Sequence, residues 1–377
     1  MIKRMSLKIF ILGMGVSGLS LAKYLTREKI PNFCWDDDPK KRKKAAAKKL
    51  NLKNVSSKIL QTCNLLVLSP GINHLKEDPH RAIVIANDLK IKIVTDLELL
   101  DILGFNNLMI GVTGTNGKST TTHFINKTLS YNNLYQSKPC GNIGIPFTDL
   151  SINKETILII EASSYQLAKI DKLKFNFAFL LNISKDHLDW HGSFKKYVDA
   201  KLRIFKNQNS KCYAIICIDD QYCEKVASNF RKNFSSKLIL ISCKKNKSAD
   251  ILLTKSPNKI EILNKLSQEK LEISLSKLKF TKAEHNFQNL LATYVSSYLM
   301  NQDKGAFLNS LVRLDNLKHR IEFAGKYKNI TFYNDSKSTN VNSAKTAIES
   351  FENIFWILGG REKEGGLTGI EKNLSNI

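Results

Sequence analysis

The run Gly114-Thr115-Asn116-Gly117-Lys118-Ser119-Thr120 stands between an apolar segment, 108–112, and a stretch of helical character. A strand that enters a glycine-rich loop and leaves as a helix belongs to a parallel α/β sheet, where such loops emerge at the carboxyl ends of strands. The glycines let the backbone curl until its N–H groups point at phosphate oxygens, and the helix N-terminus adds its positive dipole. Lys118 supplies a point charge for the outer phosphates, and the Ser119 hydroxyl can ligate magnesium. The pattern departs from Gly-x4-Gly-Lys-Ser/Thr by one residue, since Val112 holds the first glycine position and Gly111 lies just outside. That departure points away from GTPases and ordinary ATPases.

Residues 1–105 carry a second glycine-rich turn. Strands are expected at 8–12, 32–35, 65–69 and 91–94, with a helix over 18–28, and this alternation implies right-handed parallel crossovers. Gly13-Met14-Gly15-Val16-Ser17-Gly18 follows the first strand and Asp36-Asp37-Asp38 the second. Together they match a dinucleotide fingerprint, with an acidic residue for a ribose hydroxyl. Yet about 100 residues make only one mononucleotide-sized half. The pyrophosphate of a mononucleotide sugar fits better than NAD, and Ser69-Pro70-Gly71-Ile72 closes the same sheet edge.

Downstream of the phosphate loop, strands are expected at 156–161, 176–183, 212–218, 237–242 and 260–263, and a helix at 284–299. A third segment begins near 314, with strands at 331–333 and 354–358 around a helix at 341–350. The expected division is 1–105, 106–314 and a partial domain, 315–377. Two strands and one helix cannot close a core at this size. The third domain is therefore expected to be cut short or to lean on the others.

Composition narrows the class. Of 377 residues, 42% are hydrophobic and 24% charged, which suits packed domains. No run of about 18 apolar residues occurs, and the start reads as a strand, not a signal peptide, so a soluble cytoplasmic protein is expected. Seven scattered cysteines (34, 63, 140, 212, 217, 223, 243) without a Cys-x-x-Cys pair suit reduced thiols. The net charge of +24 comes from lysines spread along the whole chain, as in Lys40-Lys41-Arg42-Lys43-Lys44. No basic patch interleaved with aromatic residues appears, so nucleic acid is not the expected partner.

Three residues complete the candidate chemistry. Glu161 ends one expected strand and His187 follows another, both at the carboxyl edge beside the phosphate loop, where an oxygen ligand and an imidazole can complete magnesium sites. Lys201 falls on an apolar stripe with Phe194, Val198 and Phe205 at helical spacing. Such a lysine either snorkels to solvent or is a neutral amine open to carbamylation by carbon dioxide. A carbamate would offer oxygen ligands to a metal.

With these motifs the chain resembles the Mur ligase family over about residues 8–363, and within it the D-glutamate-adding branch. Further matching strings are Gly141-Asn142-Ile143-Gly144-Ile145-Pro146, Tyr197-Val198-Asp199-Ala200-Lys201, His285-Asn286 with Asn289, His319-Arg320 with Glu322, and Asn334-Asp335-Ser336-Lys337-Ser338-Thr339-Asn340. The resemblance implies a three-domain α/β architecture: a Rossmann-like N-terminal half-domain, a central P-loop ATPase domain and a partial Rossmann-like C-terminal domain. It implies that Gly15, Val16, Ser17, Asp36 and Gly71 hold a uridine diphosphate and Asn142 the sugar-phosphate region. Gly114 to Thr120 would cradle ATP, with Asn286 and Asn289 at the adenine and Arg320 and Asp335 reaching over from the third domain. Ser119, Glu161, His187 and a carbamylated Lys201 would organise magnesium. Lys337, Thr339 and Lys363 would orient phosphate or the incoming amine. The implied reaction activates the carboxylate of UDP-N-acetylmuramoyl-L-alanine as an acyl phosphate and joins it to D-glutamate, in a monomer, with ATP and Mg2+. Two other readings stand beside it: a UDP-sugar and ATP-binding protein with little ligase activity, and a ligase of the folyl-polyglutamate type, which lacks the Gly13–Gly18 half.

Overall fold

The computed structural model describes residues 7–142, 144–244, 246–280, 284–360 and 366–371. Its N-terminal sheet is formed by β1 (Ile9–Leu12), β2 (Asn32–Trp35), β3 (Leu65–Leu68) and β4 (Lys92–Thr95), in the order β2-β1-β3-β4, all parallel. β1 and β3 are apolar at every position and buried on both faces, as strands sandwiched between helices must be. Helix α1 (Val16–Arg27) crosses from β1 to β2. Its entry depends on Gly18, because a Cβ there would lie 1.9 Å from the carbonyl oxygen of Gly13.

Among the described residues the central sheet has nine strands. They are β5 (Met109–Thr113), β6 (Ser137–Gly141), β7 (Ile157–Glu161), β8 (Phe177–Leu180), β9 (Tyr213–Cys217), β10 (Lys237–Ser242), β11 (Ile251–Lys255), β12 (Lys259–Asn264) and β13 (Glu269–Ser274). Their order is β13-β12-β11-β10-β9-β8-β5-β7-β6, parallel from β6 to β11 and antiparallel beyond. β5 lies between β7 and β8, where the strand order reverses, and this is the crevice in which open α/β sheets bind ligands. Helix α2 (Lys118–Leu129) and the long α5 (Glu284–Leu299) cover one face through Phe124, Ile125, Leu129, Leu290, Leu291 and Val295. Between them in the chain lie the short turn α3 (Ser164–Leu167) and α4 (Phe194–Leu202).

The other face shares one continuous apolar cluster with the N-terminal sheet, from Ile9 and Ile11 through Leu97 and Leu100 to Phe147, Leu158 and Phe175. Polar pins reinforce that junction. Glu98, fully buried, accepts the backbone N–H groups of Asp171, Lys172 and Leu173, which offsets the cost of burying its charge. The Thr95 hydroxyl donates to the Gln166 carbonyl, and the Gln166 amide donates to both oxygens of Asp96. Asn73 donates to the Trp190 carbonyl at 3.0 Å.

The third segment is an antiparallel hairpin, β14 (Glu322–Tyr327) and β15 (Ile330–Asn334), followed by α6 (Val341–Glu349). Phe323, Tyr327, Phe332 and Tyr333 of the hairpin are exposed.

Several expectations need correction. Residues 354–358 form no strand, and Phe355 and Ile357 are 88% and 95% exposed. A strand needs a neighbour to satisfy its ladder, and no other strand lies beside this run among the described residues. The expected strand 176–183 stops at Leu180, because the backbone from 181 onward turns to bind the phosphate loop. On α4 and the turn after it, Lys201 and Phe205 are buried as the stripe requires, joined by Tyr197, Ala200 and Ile204, while Phe194 and Val198 are half-buried against the same core. β6, β11, β13 and β14 add to the strands expected; β6 contains Pro139, which its position at the sheet edge tolerates. All seven cysteines are free, and only Cys243 is not buried. Among the described residues no helix is long and apolar enough to cross a membrane.

Candidate functional site

The loop after β5 is held from both sides. The Thr115 N–H donates to the Asn182 carbonyl, the Asn116 N–H to Asn182 Oδ1, and Asn182 Nδ2 back to the Asn116 carbonyl. The Thr115 hydroxyl accepts from the Ser184 N–H and pairs with the Tyr197 hydroxyl at 2.9 Å. Thr115 is thus an interior pin of the loop. Gly117 takes φ +85° just before α2, a conformation that disfavours a side chain. A Cβ there would also stand 2.6 Å from Asn289 Oδ1. Ser119 and Thr120 are buried in the first turn of α2.

Two lysines meet at one oxygen. Lys118 Nζ donates to the carbonyls of Gly114 (2.8 Å) and Thr115 (2.7 Å), and Lys201 Nζ donates to the same Gly114 carbonyl at 2.6 Å. Lys201 is 1% exposed, with its amine 4.7 Å from the centre of the Tyr197 ring. Burial first, then the Lys118 charge, holds the Lys201 amine well below the usual lysine range, against the pull of Asp186 and Glu161. Burial also lowers Lys118, with Arg320 acting in the same direction and Glu161 and Asp186 opposing. Lys118, Lys201, Glu161, Asp186 and Arg320 therefore share one electrostatic neighbourhood. Glu161 is 2% exposed and accepts from Asn142 Nδ2 at 3.2 Å.

His187 opens a short helical turn at φ +54°. Its Nε2 lies 3.5 Å from Asp186 Oδ2, and its ring faces those of Tyr165 (4.9 Å) and Tyr197 (6.3 Å). Among the described residues, no three His, Cys, Asp or Glu side chains group as a ready cation cage. Of the expected magnesium set, Ser119 lies in the first turn of α2, Glu161 ends β7, His187 follows β8, and Lys201, as a free amine, is occupied with Gly114.

At the far end of the loop, Asn289 is fully buried, donates to Asn286 Oδ1 and accepts from the Thr121 hydroxyl. It braces Gly117 from behind. Asn286 is 4% exposed. Asp335 accepts from the Ile321 N–H and from the Ser338 hydroxyl. Burial raises its carboxyl, with Ser338, Ile321 and Arg320 opposing. Two buried nitrogens here, Arg320 Nε and His285 Nδ1, have no hydrogen-bond partner among the described residues. Burial, then Arg320, pushes the His285 imidazole down to about 4. Lys337 and Thr339 are exposed. Lys363 lies outside the described residues.

In the N-terminal sheet, Gly15 and Val16 are exposed at the uncapped start of α1, Ser17 is half-buried beside them, and Gly71 stands open after β3. Asp36 is spent within this turn: it accepts from the Met14 N–H (2.7 Å) and the Asp38 N–H (2.9 Å). Burial would raise it, but those bonds and Lys41 prevail and hold the carboxyl below its usual range.

Sequence reasoning missed four participants: Asn182 and Tyr197, which fix the loop, Asp186 beside the lysines, and Asn340, whose amide reaches Asn116. Tyr197 and Asn340 lie inside strings quoted for the resemblance, but only proximity between separate elements reveals what they touch.

Comparison with known proteins gives concordant matches. The model of the Mur ligase middle domain matches residues 112–296, and that of the Mur ligase MurD-like N-terminal domain matches residues 7–95. The UDP-N-acetylmuramoylalanine–D-glutamate ligase of Rickettsia prowazekii is 34% identical over 374 residues, covering 98% of this chain and 80% of that protein. The ligase of the same name from Wolbachia pipientis is 29% identical, covering 98% and 81%. Among solved structures, the UDP-N-acetylmuramate:L-alanyl-γ-D-glutamyl-meso-diaminopimelate ligase of Neisseria meningitidis superposes with a TM-score of 0.58 at 16% identity, covering 83% of this chain and 99% of that one. The UDP-N-acetylmuramate–alanine ligase of Thermotoga maritima gives 0.55 at 16%, covering 91% and 77%.

Proposed function

Since the chain belongs to the Mur ligase family, we propose that it joins D-glutamate to UDP-N-acetylmuramoyl-L-alanine at the expense of ATP, a step of peptidoglycan precursor synthesis. The observation that carries this reading is the match of 98% of the chain to a ligase of that name. A glycine-rich loop between β5 and α2, with Lys118 bonded to its carbonyls, accompanies it.

ATP would lie along the residues from Gly114 to Thr120, its phosphates against the N–H groups at the start of α2, since those of Thr115 and Asn116 already serve Asn182. Arg320 Nε and His285 Nδ1, buried and without a partner among the described residues, suit an anionic or acceptor-rich ligand between α5 and the third segment. Lys118 would leave the loop carbonyls for the outer phosphates. The terminal carboxylate of the UDP-linked substrate attacks the γ-phosphorus, the bond to ADP breaks, and an acyl phosphate results. The amine of D-glutamate then attacks the carbonyl carbon, loses a proton, and expels inorganic phosphate.

Magnesium fits the donor set in chemical kind, since the Ser119 hydroxyl and Glu161 carboxylate are hard oxygen ligands. When bound it screens the repulsion between phosphate and attacking carboxylate. His187 and a carbamylated Lys201 would complete or orient that shell. The low proton affinity of Lys201 favours the neutral amine that carbamylation requires. The start of α1, Gly71 and Asn142 would hold the UDP-sugar; Asp36 would shape that turn. Lys337 and Thr339, with Lys363, would face the incoming amino acid. The domains would divide near residues 105 and 314, and the enzyme would act in the cytoplasm as a monomer.

Phosphate release tests the reading. It should require ATP, magnesium, UDP-N-acetylmuramoyl-L-alanine and D-glutamate together, with the joined product seen by mass spectrometry. Release indifferent to D-glutamate would reject it.

A further inference from the structure

Asn182 grips the Asn116 backbone through both its N–H and its carbonyl. Held so, Asn116 Oδ1 accepts from Asn340 Nδ2 at 3.2 Å and from the Ser343 hydroxyl at 2.9 Å. Asn340 and Ser343 belong to the first turn of α6: Asn340 is its cap, accepting the Ser343 N–H at 2.9 Å. Asn340 Nδ2 also reaches Asp186 Oδ2, at 3.4 Å, in the segment that carries His187. One short amide therefore ties the phosphate loop, the segment after β8 and the third segment together.

We infer that the Asn116 side chain is the docking point for α6, and that Asn340 and Ser343 are positioning residues that set the preceding Lys337 and Thr339 against the phosphate loop. The division of labour follows from geometry. The Asn116 N–H is already committed to Asn182, so the side chain is the part of this residue left to act, and it acts on the third segment. A nucleotide that reshapes the loop would move this acceptor and thereby the start of α6. The role of Lys337 and Thr339 rests on the ligase reading; the docking itself does not.

Amide hydrogen exchange of residues 341–349 in the full chain reads the docking without any turnover. Ser343→Ala removes one bond to Asn116 but keeps the cap, which uses the Ser343 backbone N–H, and alanine favours a helix. Faster exchange therefore reports lost docking and not a weakened helix. Losing one neutral hydrogen bond should speed exchange roughly 5-fold. Asn116→Ala should do at least as much, and the double variant should match Asn116→Ala alone. Unchanged exchange in both single variants, or effects that multiply in the double, overturns the docking. In the ligase assay, Ser343→Ala should raise the apparent KM for D-glutamate several-fold and that for ATP much less; a change confined to ATP overturns the positioning role. A wild-type chain that makes no amide product counts against the ligase reading, while the exchange result still decides the docking.

Discussion

Lys201 shows how a single residue changes its chemistry through burial. An amine in water is almost wholly protonated near neutral pH, and the protonated form cannot attack carbon dioxide; an amine 1% exposed beside Lys118 carries its proton poorly. Lys201→Ala should lower phosphate release by roughly 100-fold, the scale of losing a group that organises a metal shell. Added short carboxylates should restore part of it, and an undiminished rate in the variant would refute the carbamate. Gly117 makes a different demand. Gly117→Ala forces a side chain to φ +85° and 2.6 Å from Asn289 Oδ1. The conformational part alone costs about 1–2 kcal/mol. Calorimetric titration should show weaker ATP binding, and equal affinity would mean that the loop does not need this turn. Lys118, Ser119 and Gly117 were legible in the sequence because a phosphate loop is a local device, written in consecutive residues. Tyr197, Asn182 and Asp186 were not, because they come from other strands and helices and act only once the sheet brings them alongside.

At the scale of elements, the junction of β4 with α3 makes a pH-dependent prediction. Burial pushes the Asp96 carboxyl up to about 6, with Gln166 and the Leu97 N–H partly offsetting it. The unfolded chain loses this proton near 3.8, so between those values the folded protein binds more protons and its stability falls as pH rises. The contribution is fully kept below the unfolded value and lost above the folded one. Relative to Asp96→Asn, wild-type unfolding free energy should decline by about 2–3 kcal/mol from pH 4 to pH 6.5, measured by denaturant titration. Parallel curves would contradict it. Elements with strong apolar runs, such as β1, β3, β5 and α5, stand where their sequences place them. The run 354–358 has the same apolar character and forms no strand, which shows the limit of periodicity: a strand exists only beside another. The α4 stripe holds, with its deepest part shifted: Lys201 and Phe205 are buried, while Phe194 and Val198 pack against the same core half-exposed. Spacing alone does not reveal that Tyr197 and Ala200 share the buried side, because the neighbours that cover them come from elsewhere in the chain.

In the molecule as a whole, the reversal of strand order at β5 brings the candidate site residues to one place. Glu161 leaves β7 and the Asn182–His187 segment leaves β8, on either side of the loop from β5, so three consecutive sheet neighbours deliver their carboxyl ends to one crevice. The N-terminal sheet is pinned to that body by Glu98, Asp96 and a shared apolar cluster, whereas the third segment meets the loop through Asn116. This arrangement suits a rigid holder for the acid and nucleotide with a separate element arriving over them. The central claim is that an oxygen of the bound acid attacks the γ-phosphorus of ATP. The direct test labels the terminal carboxylate of UDP-N-acetylmuramoyl-L-alanine with oxygen-18 and analyses the phosphate released with D-glutamate present. The account predicts that each phosphate carries a labelled oxygen from the substrate. Phosphate whose new oxygen comes from water alone would contradict it.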